Sequence, residues 1–330
     1  MKQVRGRVWR AGKPQEDFEF AAISDYLVEK DTLVWADIYD PDHSALKELA
    51  QELGLNDWAV EDAVAEAERT KATVYKTHTF FTVYAVVPLQ PAGEAEPTLS
   101  THRISGFVLP QGLITVRLAP CVDIYPELSS RFDELGGQEY GVGSLVHGLL
   151  DVVVDGHFEA VQCLDDAIES VEDDLFAENS PTKPGLQRRT FQIRKDLVVL
   201  RRVVLPMREV VTAIQHRRLD AKTAPELDPL YSDLYDHVLR ASEWTESLRD
   251  MVSTVFETNL SLQDARLNTV MKKLTGWAAI IAVPTAITGF YGQNVNYPGI
   301  QTFGGFVTSS TIILLLVAVL YVSFKRRDWL

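Results

Sequence analysis

Asn268, Thr275, Thr285, Gly289 and Asn294 recur through a segment almost free of charge. Spacing near 3.6 places several of them on one helical stripe. The stripe offers amide and hydroxyl oxygens and backbone carbonyls, with no carboxylate and no cysteine. Zinc held directly calls for His, Cys or carboxylate ligands. Magnesium dehydrates reluctantly and tends to keep its waters. Neutral oxygens around a wide ring therefore suit a hydrated divalent cation. They accept hydrogen bonds from its waters without trapping it, and weak binding is what conduction requires. The plainer reading of the same residues is a polar seam that glues two helices together away from lipid. Two spans from one chain cannot enclose a pore, so a channel requires several copies.

Other side chains that could do chemistry are less telling. Asp165, Asp166, Glu169, Glu172, Asp173 and Asp174 share a helical face. Such a run reads first as a solvated face and second as a surface that attracts divalent ions, since several copies multiply the charge. Arg188, Arg189, Arg194, Lys195, Arg201, Arg202 and Arg208 read as a partner face for those acids. His78, His102, His147, His157, His216 and His237 show no paired metal spacing and read as ordinary polar or core residues. No P-loop, nucleophile elbow or dinucleotide fingerprint occurs, so an enzyme is not expected.

The elements that must hold the stripe are legible in the charge pattern. No Asp, Glu, Lys, Arg or His occurs over 274–324. The turn-rich run Gly292-Gln293-Asn294-Val295-Asn296-Tyr297-Pro298-Gly299 divides this stretch into 274–291 and 306–324. Each is close to the ~20 residues that cross a bilayer core. Lys272-Lys273 precede the first span and Lys325-Arg326-Arg327 follow the second, so both termini are expected in the cytoplasm. Pro284 lies inside the first span, where a kink is tolerated.

Upstream, 1–140 reads as a mixed α/β domain. Strands are expected over 33–39, 73–87, 104–109 and 113–118, with Gln111-Gly112 turning a hairpin between the last two. Helices are expected over 44–53, closed by Gly54, and over 57–68. From 141 to 273 long helices follow. One covers 144–178, a second runs from Thr182 to about Leu219 with Pro206 as a kink, and a third starts near Leu230 and continues into the first span. Sixty residues of helix reach roughly 90 Å, which suits a stalk that meets a membrane. The segments are therefore 1–140, 141–273, 274–291, an extracytoplasmic loop at 292–305, 306–324 and a basic tail at 325–330.

Composition agrees. The chain has 330 residues with 32 Lys and Arg against 46 Asp and Glu, a net charge of −14. The tail Lys325, Arg326, Arg327 and Asp328 carries +2, which leaves −16 on 1–273. Nucleic acid is excluded as a partner, because binding it needs a basic face. Two cysteines, Cys121 and Cys163, are too few for a disulfide framework and point to a reducing compartment. The charged N-terminus has no apolar run behind it, so no cleaved secretory signal is expected there.

Tyr291-Gly292-Gln293-Asn294 resembles the Tyr-Gly-Met-Asn signature that ends the first span in the CorA magnesium transporter superfamily. The lead-in Asn268-Thr269-Val270-Met271-Lys272-Lys273-Leu274-Thr275 and the basic, aromatic terminus 324–330 are similar too. So are Leu53-Gly54-Leu55 with Val60-Glu61-Asp62, Leu205-Pro206-Met207-Arg208-Glu209, and Asp233-Leu234-Tyr235-Asp236-His237. The resemblance covers nearly the whole chain. It implies a homopentameric funnel in the inner (plasma) membrane: an α+β cytoplasmic domain, a long helical stalk and two C-terminal transmembrane helices. It implies Mg²⁺ as both substrate and regulatory ligand, with passage of Co²⁺ or Ni²⁺ as well.

Carried over by motif, Gly292, Gln293 and Asn294 form the selectivity filter. Asn268, Met271, Leu274, Ala282, Thr285 and Gly289 line the pore. Asp233 lies where regulatory divalent ions bridge subunits, and Lys325, Arg326 and Arg327 form a cationic tail. Three departures bear on this. Gln293 replaces Met in the motif, the loop 296–305 lacks the family's acidic residues, and Ala282 replaces a bulkier residue seen in some members. A ZntB-like Zn²⁺ transporter is the nearest alternative. A membrane-tethered receptor or scaffold without ion flux is the alternative from another class.

Overall fold

The computed structural model describes residues 3–15, 18–89, 98–176, 185–220, 224–293, 296 and 299–329. It divides into two compact units, Met1–Val255 and Phe256–Leu330.

The first unit is built on one mixed sheet. Its strands are β1 (Gln3–Arg10), β2 (Lys13–Gln15), β3 (Thr32–Tyr39), β4 (Lys71–Val74), β5 (Thr79–Leu89), β6 (Thr98–Leu109) and β7 (Gly112–Arg117), in the spatial order β2-β1-β3-β7-β6-β5-β4. β3 and β7 are parallel, and the other neighbours are antiparallel. Side chains alternate between faces along each strand. Leu33 and Trp35 join Trp9, Phe81 and Val83 on one face, whereas Ala36 and Ile38 join Phe80, Phe107 and Ile114 on the other. Helices cover both faces, so β3 is buried continuously from Thr32 to Ile38 rather than on alternate residues.

The helices α1 (Ile23–Val28), α2 (His43–Leu53) and α3 (Asp57–Val64) lie on the Phe80 side. On the Trp35 side lie α4 (Tyr125–Glu134), α5 (Val142–Phe176), α7 (Met207–Asp220) and the start of α8 (Asp228–Tyr291). A further helix, α6 (Leu186–Val204), packs on α5. Two glycines make this packing close. A Cβ on Gly106 would fall 2.2 Å from the Phe81 ring, its cross-strand partner. A Cβ on Gly156 of α5 would fall 2.9 Å from the Val86 carbonyl of β5.

Several elements differ from the sequence reading. The helix expected over 57–68 ends at Val64, because Arg103 reaches across and donates to the Ala63 and Ala65 carbonyls that a longer helix would use. The strand expected over 73–87 is a hairpin: β4 and β5 are joined by a loop at 75–78, where the Tyr75 N–H donates to the His78 carbonyl at 2.8 Å. The helix expected from Thr182 to Leu219 is two helices, α6 and α7, parted at Leu205-Pro206, since proline has no N–H to continue the ladder. Thr182, where the second helix was expected to start, lies outside the described residues. β1 and β2 were not expected; in β1 the apolar Val4, Val8 and Trp9 stand among arginines.

The second unit holds the rest of α8 and a final helix, α9 (Phe303–Arg326). Thr302 caps α9, its hydroxyl accepting from the Gly305 N–H at 3.1 Å.

Candidate functional site

α8 continues as helix through Pro284 to Tyr291. Thr285 and Thr288 donate their hydroxyls to the Ile281 and Pro284 carbonyls at 3.0 and 2.9 Å, so these polar groups are satisfied within the helix. Each hydroxyl oxygen keeps lone pairs with which to accept from an incoming water.

At 100° per residue, Asn268, Met271, Leu274, Ala282, Thr285 and Gly289 fall within an arc of roughly 120°. All six are exposed in the single chain, Met271 by 58% and Leu274 by 63%. Gly276 and Ile280 are buried and lie on the opposite side of the helix. The exposed arc thus mixes amide, hydroxyl and apolar groups with no charge. Open space surrounds Gly289, whereas a Cβ on Gly292 would sit 3.0 Å from the Thr288 carbonyl. The Gly292 N–H donates to that carbonyl at 2.9 Å, and the Gln293 N–H closes a turn on the Phe290 carbonyl at 3.2 Å. Gly292 and Gln293 therefore end the helix. Asn294, the third residue of the expected filter, lies outside the described residues.

α9 has no buried residue and presents Phe303, Leu314 and Leu315 fully or half exposed. Such an apolar surface on a helix of 24 residues matches a bilayer and not water. Its end carries the basic tail. Lys325 lies 5.9 Å over the Tyr321 ring, and Trp329 stacks on Phe324 at 5.5 Å, just past Arg326 and Arg327.

Asp233 sits in the first unit on α8, with its side chain 68% exposed. His237, one turn on, approaches it at 3.7 Å between Nδ1 and Oδ2. Among the described residues, no cluster of three or more His, Cys, Asp or Glu side chains could hold a metal within one chain. The acidic run of α5 meets the arginines of α6 where Arg189 donates to Asp174 at 2.7 Å. Arg201 turns instead to Glu246 of α8, at 2.7 Å. Among the histidines expected to be ordinary polar or core residues, His157 is a core residue: it is fully buried, and its Nε2–H donates to the Tyr84 carbonyl at 2.8 Å. Burial pushes its pKa down to about 4. Burial also lowers the pKa of His147, against the pull of the Asp151 carboxylate.

These features define a membrane protein whose α/β domain leads through one long helix into two C-terminal apolar helices. Residues 30–326 match the model of the CorA-like Mg²⁺ transporter protein family, and the chain belongs to that family. It is a divalent-cation transporter of that family and not an enzyme. The cobalt/magnesium transport protein CorA of Thermotoga maritima is 24% identical, over 98% of this chain and 96% of that protein. The zinc transport protein ZntB of Yersinia enterocolitica is 26% identical, over 71% of this chain and 73% of that protein. The complete structure of the CorA magnesium transporter from Methanocaldococcus jannaschii has the same fold, with a TM-score of 0.75, 22% identity and full coverage of both chains.

Proposed function

We propose that the chain forms a homopentameric channel in the cell (inner) membrane that conducts hydrated Mg²⁺ inward, with Co²⁺ and Ni²⁺ as further substrates. The carrying observation is the arc of α8 from Asn268 to Gly289, which is uncharged, neutral in its oxygens and exposed in a single chain. Five copies facing inward would enclose a pore, with Gly292, Gln293 and Asn294 as the filter at its outer end. Neutral oxygens of this kind accept hydrogen bonds from the waters of a hydrated ion and bind too weakly to strip them. The Lys325-Arg326-Arg327 tail fits termini in the cytoplasm by the positive-inside rule.

Asp233, exposed on the first unit, is the proposed carboxylate for regulatory Mg²⁺ between subunits. Bound ions would neutralise facing carboxylates and favour the closed state, and ion loss would favour opening. Asp233→Ala is expected to weaken inhibition by internal Mg²⁺.

The reading is tested by uptake into liposomes carrying the purified protein, with Mg²⁺ and Zn²⁺ supplied separately and Asn294→Ala alongside. Mg²⁺ entry altered by Asn294→Ala supports it. Entry of Zn²⁺ alone would make the protein a ZntB-like zinc transporter. Flux of neither ion from pentameric protein would leave a receptor or scaffold.

A further inference from the structure

A cavity of about 180 Å³ lies within the first unit, between the sheet and the helices α5, α7 and α8. Leu109, Val142, Val146 and Ile214 line much of it, and most of its surface is apolar. Its polar lining is cationic or neutral: Arg217 and Arg218 of α7, Thr77, His78 and Thr79 of the β4–β5 hairpin, and Tyr231 of α8.

These polar groups differ in what they have to offer. The Tyr231 hydroxyl donates to the Gly143 carbonyl at 2.9 Å. Arg218 is 6% exposed, donates to the Ala224 carbonyl and to Asp228, and lies 5.0 Å over the Tyr231 ring. Both are fixed parts of the wall. Arg217 beside it is exposed and in no ion pair among the described residues. His78 is 2% exposed and stacks on Tyr75 at 4.9 Å. Its Nδ1 meets the Thr77 hydroxyl at 2.9 Å, while its Nε2 is buried without a hydrogen-bond partner. A buried polar atom left in that state is uncommon and costs stability, so it calls for a partner.

Among the described residues, no carboxylate lines the cavity, although the chain carries −14 overall. An apolar chamber with a guanidinium at its edge suits a ligand with an apolar body and one negative charge. Size narrows the class. An apolar cavity of about 150 Å³ takes up benzene, so this one holds a single ring or a short branched chain with its head group. Drug-sized ligands fill roughly 300–1,000 Å³, so this cavity suits a smaller molecule.

We propose that this cavity is a binding site for a small amphipathic monocarboxylate, aromatic or branched aliphatic, whose carboxylate pairs with Arg217 and whose body fills the space beside Val146 and Ile214. The site belongs to the first unit alone and does not depend on the ion that the protein transports.

The test is calorimetric titration of the full-length protein in detergent with benzoate and isovalerate. Benzamide serves as the neutral isostere and inorganic phosphate as the anion without an apolar body. Saturable binding of benzoate, about tenfold weaker for benzamide and for the Arg217→Gln variant, is the expected result; tenfold is the loss of one charge-assisted hydrogen bond. Arg217 is exposed, so the variant keeps the fold, and its melting temperature without ligand checks this. Arg217→Lys should restore most of the affinity. Three results would overturn the proposal: no saturable heat with either carboxylate, equal affinity for benzamide, or phosphate binding as tightly as benzoate. Benzoate binding unchanged by Arg217→Gln would also overturn it.

Discussion

Arg117 holds Asp37 by two hydrogen bonds, Nε to Oδ1 at 2.9 Å and Nη2 to Oδ2 at 2.5 Å, with the two side chains 3% and 0% exposed. The pair joins β7 to β3, the only parallel neighbours among the described strands. Its remaining polar atoms are also met: Thr115 donates to Asp37 Oδ1 at 2.8 Å, and Arg117 Nη1 donates to the Val122 carbonyl at 2.6 Å. Removing one partner strands a buried charge, which costs about 3–5 kcal/mol, whereas replacing both by apolar groups is often nearly neutral. Asp37→Ala should therefore lower the melting temperature sharply, and Asp37→Leu with Arg117→Met should recover most of it. Melting followed by circular dichroism reads this directly. A double variant as unstable as the single one would show that the pair does more than satisfy itself.

Gly156 is required by the closeness of α5 to β5. The atom that a Cβ would meet is the Val86 carbonyl, part of a strand that cannot swing aside. Gly156→Ala should cost about 1–3 kcal/mol as overpacking, despite the better helix propensity of alanine. A rise in melting temperature would mean that α5 can lift off the sheet at no cost.

His157 makes stability depend on pH in a defined window. Burial holds its folded pKa at about 4, against the opposing hydrogen bond to Tyr84, while the unfolded chain titrates near 6.5. Below about pH 6.5 the unfolded chain takes up a proton that the folded one refuses. The stability from the neutral ring is therefore complete above about pH 6.5 and is lost as pH falls toward 4, by up to about 3 kcal/mol. Denaturant midpoints of wild type and His157→Gln, compared between pH 7 and 4.5, isolate this contribution from that of the carboxylates. The wild type should show the steeper decline on acidification. Parallel curves would remove His157 as a cause.

The sequence revealed long-range organisation better than local detail. The uncharged stretch 274–324 announced two spans because charge is so costly in lipid, and α8 indeed runs on to Tyr291. Gly54 announced the end of α2, and it adopts the left-handed φ of 63° that favours glycine. The shortfalls arose where distant residues decide. Arg103, 38 residues away from Ala65, sets the end of α3, and no local pattern near 57–68 reveals that. β1 was hidden by its arginines, whose polar ends bond Asp123 and Asp133 beyond the sheet. The arc on α8 could be listed from the motif, but its opposition to the buried Gly276 and Ile280 needed coordinates.

The central claim is that this arc of α8 faces a water-filled path for the ion. Cysteines introduced singly as Thr285→Cys, Gly289→Cys and Ile280→Cys, with Cys121 and Cys163 replaced by alanine, test it when a charged thiol reagent is added during Mg²⁺ uptake into liposomes. The account predicts block of uptake at positions 285 and 289 and none at 280, which is buried on the far side of the helix. Uptake untouched at 285 and 289, or blocked equally at 280, would contradict it.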